Sequence, residues 1–177
     1  MNAQAQSKTF QQFIPSMMGR ADFISTFADI YEHSAWVAEQ AWERGLSPVH
    51  DQVDGLHQLM ADILLSSSRQ AQLDLINAHP DLAGKAAIAG ELTEASTSEQ
   101  AGAGIHECSA EEFQRFTQLN DAYKSKFGFP FIKAVKGSNR FQILEAFEER
   151  IHNTPDEEFE RALIEINKIA LFRLEAM

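Results

Sequence analysis

His79 and Glu99 are the residues from which acid/base chemistry can be built. The first lies in Asn77-Ala78-His79-Pro80-Asp81-Leu82, and the second, twenty positions on, in Ser96-Thr97-Ser98-Glu99-Gln100. An imidazole titrates near neutral pH without help, and a carboxylate can orient such a ring or hold a polar substrate. Each residue also has a purely structural reading. A histidine at a helix end bonds the last carbonyls, and Ser96-Thr97-Ser98-Glu99 matches the Ser-x-x-Glu capping box. The second segment can do both jobs, because a capped helix N-terminus exposes N–H groups that bind a carboxylate or ring carbonyl.

Arg173 is the third candidate. Phe159, Leu163, Ile166 and Ala170 recur at alternating steps of four and three, and Arg173 occupies the next position of that stripe. Two readings fit the pattern: the guanidinium snorkels to solvent near the chain end, or it pairs inside a pocket with Glu99 or a substrate oxygen.

Other groups carry less. His50, Asp51, Asp54 and His57 could share a helix face, but without HExxH or a Cys/His cluster they read as a solvated face, and no metal site is expected. Gly102 and Gly104 lack the third glycine and preceding strand of a dinucleotide fingerprint. Cys108 reads as a loop residue, Trp36 and Trp42 as packing residues, and Asp156-Glu157-Glu158 as charges that suit a helix N-terminus.

The elements that must position these groups are helices. Apolar residues recur at helical spacing in Phe23, Phe27, Ile30 and Tyr31, and in Val53, Leu56, Leu59, Met60, Ile63 and Leu64. Ser109 with Glu112, and Thr154 with Glu157, form capping-box patterns, and Pro155 suits the first helical position. The stripe Phe113, Phe116, Leu119, Tyr123 and Phe127 runs to Gly128, which is placed to end that helix in a left-handed turn. Pro80 disfavours helix at His79, so the helix carrying Leu73, Leu75 and Ile76 should stop just before the histidine. One stretch resists helix: Pro130 and β-branched neighbours give residues 129–135 an extended character. Residues 81–104, rich in Ala and Gly, are expected to be partly loop. The expected fold is all-α, a single compact multi-helix domain over 1–177 with one short extended segment near 129–135.

Composition bounds the function. With 26 Asp plus Glu against 15 Lys plus Arg, the net charge of −11 argues against binding a phosphate backbone, so no nucleic-acid partner is expected. A small anionic substrate stays compatible, since one buried Arg or protonated His reverses the sign locally. The lone cysteine excludes an intrachain disulfide and fits a reducing compartment. Met1 to Phe10 lacks an apolar signal stretch, there is no run of about 18 apolar residues, and the C-terminal residues are not a peroxisomal address. A soluble, cytoplasmic protein without a membrane partner is the expectation.

Taken together, several segments resemble the 2-oxo-4-hydroxy-4-carboxy-5-ureidoimidazoline (OHCU) decarboxylases of urate breakdown over nearly the whole chain. They are Glu32-His33-Ser34-Ala35-Trp36-Val37-Ala38-Glu39, His79-Pro80-Asp81-Leu82-Ala83-Gly84-Lys85, Glu91-Leu92-Thr93, Ser96-x-x-Glu99-Gln100-Ala101-Gly102-Ala103-Gly104 and Phe127-Gly128-Phe129-Pro130-Phe131-Ile132. Each is weak alone, and in this order they are specific. The resemblance implies an all-helical, cofactor-free enzyme, commonly a homodimer, that converts OHCU to (S)-allantoin and carbon dioxide. It further implies His79 as the central acid/base group, supported by Glu99 and Arg173. The substrate contacts it implies are Pro80, then Ser96, Thr97, Ser98, Glu99 and Gln100, and then Phe131, Ile132, Lys133, Ala134 and Val135, the last five largely through backbone. Whether Glu99 fixes the His79 tautomer or holds the ureido group stays open at this level. Two rivals stand beside this reading: a non-catalytic helical module that binds a ureide or a protein, and a cofactor-free hydrolase or isomerase of imidazolidine rings.

Overall fold

The computed structural model describes residues 8–84, 87 and 89–177. Lys85, which belongs to one of the segments quoted above, lies outside them, as does most of the Met1 to Phe10 stretch. Among the described residues the fold is all-α, with eight α-helices and no strand; the only β-type pairing there is the isolated bridge Thr9 to Gln52. We number the helices α1 (Arg20–Phe27), α2 (Trp36–Glu43), α3 (Val53–Ser66), α4 (Arg69–Asn77), α5 (Glu94–Gly102), α6 (Ala110–Phe127), α7 (Arg140–Arg150) and α8 (Pro155–Glu175). None is long and apolar enough to cross a membrane. The chain divides into two compact units, one of residues 1–72 and 167–177 and the other of residues 73–166.

In the first unit, α2 packs on both α1 and α3. The apolar periods read from sequence become its core: Phe23, Phe27, Val53, Leu56, Met60, Ile63 and Leu64 are buried. Phe27 carries edge-on contacts from Phe10 and Phe13 and a tilted one from Phe23. A 3₁₀ turn, Pro48–Asp51, presses on the start of α3 so closely that a Cβ at Gly55 would come 2.0 Å from the Val49 carbonyl oxygen. Glycine at 55 is therefore a requirement of that contact.

The second unit is built on caps. Ser109 and Glu112 form the expected box at the start of α6, and Gly128, at φ +79°, ends it in the left-handed conformation. Asn139 and Gln142 make a further capping box on α7 that the Ser/Thr pattern does not catch. Pro155 opens α8, where Thr154 accepts the Glu157 N–H and donates its hydroxyl to the Glu157 carboxylate. The core centres on Tyr123, with Phe131 and Phe147 stacked at 3.7 Å beside it and both rings near-perpendicular to the tyrosine. Residues 130–135 are neither helix nor strand and are mostly buried.

Candidate active site

Helix α4 ends at Asn77, two residues before His79, as Pro80 dictates. The His79 N–H bonds the Ile76 carbonyl at 3.2 Å, and the ring Nδ1 lies 3.0 Å from the Leu75 carbonyl oxygen. A carbonyl only accepts, so Nδ1 carries the hydrogen. The neutral ring then has its lone pair at Nε2, the tautomer a general base needs. The helix-end reading of His79 is realised by the same bond that orients the ring.

The turn after His79-Pro80 is gripped from two helices. Gln100 of α5 accepts the Ala83 N–H at 3.0 Å and donates to the Asp81 carbonyl at 3.4 Å. Asn120 of α6 donates to the Leu82 carbonyl at 2.9 Å, and Lys124 bonds the Asp81 carboxylate at 2.6 Å. Ala83 itself sits at φ +52°, a conformation that costs a non-glycine residue about 1–2 kcal/mol and persists only where surrounding contacts impose it. The two segments that open the sequence reading are thus joined through the Gln100 amide.

The cap on α5 differs from expectation. Thr93, not Ser96, is the N-cap, and its hydroxyl accepts the Ser96 N–H at 3.2 Å. Since the helix starts at Glu94, a turn earlier than the Ser-x-x-Glu pattern implies, Ser96 falls in the first turn and Glu99 in the second. The Ser96–Glu99 box does not form. Ser96 and Gln100, four apart, share the buried face; Thr97 and Ser98 are exposed and Glu99 is half-buried.

Of the third segment, Phe131, Ile132, Ala134 and Val135 are buried and Lys133 is half-buried. Two of its carbonyls are already used: Ile132 O accepts from Arg150 Nη1 at 2.6 Å, and Val135 O from the Ser138 N–H at 2.9 Å. The Arg150 guanidinium also lies over the Phe131 ring at 4.2 Å and bonds the fully buried Glu158 at 2.9 Å. Tyr123 donates to the same Glu158 oxygen at 2.6 Å, and burial together with that carboxylate pushes its phenol far above the ordinary range. Asn120 and Arg150 carry no sequence-level assignment, and Glu158, expected only as a charge suiting the start of α8, is instead fully buried on Tyr123, Arg150 and Asn153. The signal for the first two was present, because Asn120 lies on the stripe Phe116, Tyr123, Phe127 and Arg150 on Ile143, Phe147, the same logic that singled out Arg173.

Arg173 belongs to the first unit, whereas His79, Glu99 and residues 131–135 belong to the second. Its stripe is buried as expected, and Phe159, Leu163, Ile166 and Ala170 are all inside. The guanidinium does not snorkel: the side chain is 8% exposed, and Nη1 bonds the Glu32 carboxylate at 2.8 Å and the Asp29 carbonyl at 3.0 Å. Glu32, 2% exposed, opens the Glu32–Glu39 segment that carries part of the family resemblance.

The weaker candidates resolve locally. Among the described residues there is no group of three or more His, Cys, Asp or Glu side chains that could hold a metal. His50 Nδ1 accepts the Ser47 N–H, Asp51 takes both the N–H and the hydroxyl of Ser16, and His57 Nε2 donates to the Asn167 carbonyl at 2.8 Å. Three of these four expected surface residues are therefore structural tethers; Asp54 is exposed. Burial and the nearby Glu112 raise the Cys108 thiol, which disfavours a thiolate nucleophile.

Residues 16–175 match the family model for OHCU decarboxylase. A 2-oxo-4-hydroxy-4-carboxy-5-ureidoimidazoline decarboxylase from Halalkalicoccus jeotgali is 41% identical over 155 residues, which is 88% of this chain and 84% of that one. Among solved structures, an (S)-allantoin synthase superposes with a TM-score of 0.72 at 32% identity, covering 92% of this chain and 52% of that one. An OHCU decarboxylase crystallised in the presence of (S)-allantoin superposes with a TM-score of 0.67 at 27% identity, over 83% of this chain and 93% of that one.

Proposed function

Because this chain belongs to the OHCU decarboxylase family, we propose that it converts OHCU to (S)-allantoin and carbon dioxide, a step of urate catabolism. The observation that carries the reading is the prepared imidazole, with Nδ1–H given to the Leu75 carbonyl and the following turn tied to α5 by Gln100. The family match runs through both units, which supports treating residues 1–177 as one functional domain.

Decarboxylation needs a place for the departing electron pair, and OHCU carries its own. The carboxylate sits on a carbon adjacent to a ring C=N bond. When the C–C bond to the carboxylate breaks, its pair forms a ring C=C bond and the C=N pair moves onto nitrogen, which takes up a proton. The hydroxyl then gives up its proton as C=O forms, and the carbon bearing the ureido group is protonated on one face. The protein must hold the carboxylate out of the ring plane and manage those protons.

In this reading Nε2 of His79 accepts the hydroxyl proton and returns one to carbon. Glu99 binds the ureido N–H groups, and Arg173 neutralises the substrate carboxylate. Pro80, Ser96–Gln100 and Phe131–Val135 line the substrate, the last through N–H groups and the carbonyls other than Ile132 O and Val135 O. The chain acts in the cytoplasm as a homodimer, which sedimentation tests. To test the activity, OHCU is made in place from urate with urate oxidase and hydroxyisourate hydrolase, and the optical activity of the allantoin is followed. Faster decay and an excess of the S form are expected. Racemic allantoin at the spontaneous rate would leave a ureide-binding module as the surviving alternative.

A further inference from the structure

The turn that precedes α2 holds a buried acid on Arg173. Glu32 and Arg173 are 2% and 8% exposed, and a buried ion pair contributes little net stability compared with apolar residues of the same volume. The turn is also strained: His33, beside Glu32, has φ +49°, rare for a residue with a Cβ. Three contacts hold it there. Ser34 Oγ donates to the Glu32 carbonyl at 2.9 Å, the Ser34 N–H to the Tyr31 carbonyl at 3.0 Å, and the Tyr31 hydroxyl to the Asn167 side chain of α8 at 2.8 Å. Tyr31 and Glu32 are therefore both anchored on α8, at Asn167 and at Arg173. Nη1 of Arg173 meets two acceptors at once, the Glu32 carboxylate and the Asp29 carbonyl, and two acceptors on one nitrogen fix the rotation of the planar guanidinium.

We propose that Glu32 is a positioning residue that sets the plane of the Arg173 guanidinium for its work on the substrate carboxylate. This rests on the reading that Arg173 engages substrate. Nη1 is committed to the turn, and the plane so fixed determines where Nε and Nη2 point. Strain at His33 is the cost of bringing the Glu32 carboxylate to that nitrogen.

The test is a double-mutant cycle on the full chain, read by formation of (S)-allantoin from OHCU generated in place. Glu32→Gln keeps the shape and loses the charge; it should lower kcat/KM about 10- to 100-fold, the scale of a small misplacement of a binding group. In an Arg173→Met background the same change should cost less than about twofold, because the group it acts through is gone. Glu32→Asp, which keeps the charge on a shorter arm, should recover part of the loss. The Arg173 side-chain N–H resonance should broaden in Glu32→Gln relative to the wild type. An equal loss in both backgrounds would make Glu32 structural and overturn the proposal, as would a Glu32→Gln enzyme within twofold of wild type while Arg173→Met is impaired. Near-normal turnover by Arg173→Met would instead remove the reading of Arg173, and this inference with it. If Glu32→Gln fails to fold, Glu32→Asp carries the same cycle.

Discussion

Two turns of this molecule solve one problem with different chemistry. The turn after α4, in the second unit, carries His79; neutral amides, Gln100 and Asn120, bond its backbone, and Lys124 adds an ion pair on the Asp81 side chain. The turn before α2, in the first unit, is held by Ser34 and Tyr31, and its Glu32 carboxylate pairs with the charge of Arg173. Each contains one non-glycine residue at positive φ, Ala83 at +52° and His33 at +49°. A backbone clamp fixes where the chain goes, whereas an ion pair fixes where a side chain points. That difference suits a histidine whose ring is oriented by its own helix and an arginine whose long stem needs an external partner.

The largest effect that can break the comparison is at the histidine. His79→Asn should lose at least about 10²-fold in kcat while staying folded, measured by optical activity and by circular dichroism; near-normal turnover would take His79 out of the mechanism. Next comes the clamp. Asn120→Leu removes the donor to the buried Leu82 carbonyl and should cost about 1 kcal/mol in urea denaturation, at the low end of the range because it also removes the unpartnered, buried Asn120 Oδ1. It should lower kcat as the His79 turn loosens; a stable, fully active variant would show that the amide clamps are dispensable.

A smaller pair of changes separates the two turns directly. At Ala83, glycine relieves a left-handed residue but loses a buried methyl group and adds freedom to the unfolded chain, so the terms of about 1 kcal/mol each should nearly cancel. At the exposed His33 nothing buried is lost, and His33→Gly should stabilise by a few tenths of a kcal/mol in the same measurement. The smallest effect tests ionic holding where water competes. The Ser109 backbone N–H and then Arg140 hold the Glu112 carboxyl below its usual range. Because the folded value lies under the unfolded one, the contribution is present above the unfolded value and fades as pH falls through the folded one. Glu112→Gln should flatten only that acid limb of the stability curve, as followed by thermal melts.

Much of this was readable from local chemistry. Pro80 stopping α4 ahead of His79, the Ser109 cap and the Gly128 terminus follow from rules that involve only near neighbours. Where a local rule had a competitor, it failed. Ser96-x-x-Glu99 and Thr93 both offer a cap, and which one wins depends on where α5 begins. Asn120 and Arg150 were visible as polar residues on apolar stripes, yet their partners, Leu82 O and Ile132 O, lie 38 and 18 positions away.

By itself the sequence determined the helices, most of their ends, the presence of an imidazole at a helix terminus and the family to which the chain belongs. Tertiary structure decided which carbonyl takes the Nδ1 hydrogen of His79, that Gln100 grips the neighbouring turn, and that Arg173 is met by Glu32, 141 positions away in the chain. The physical reason is range. Propensity, capping and proline sterics act over about one helical turn, whereas a hydrogen bond or ion pair between distant segments exists only once packing has brought them within about 3 Å.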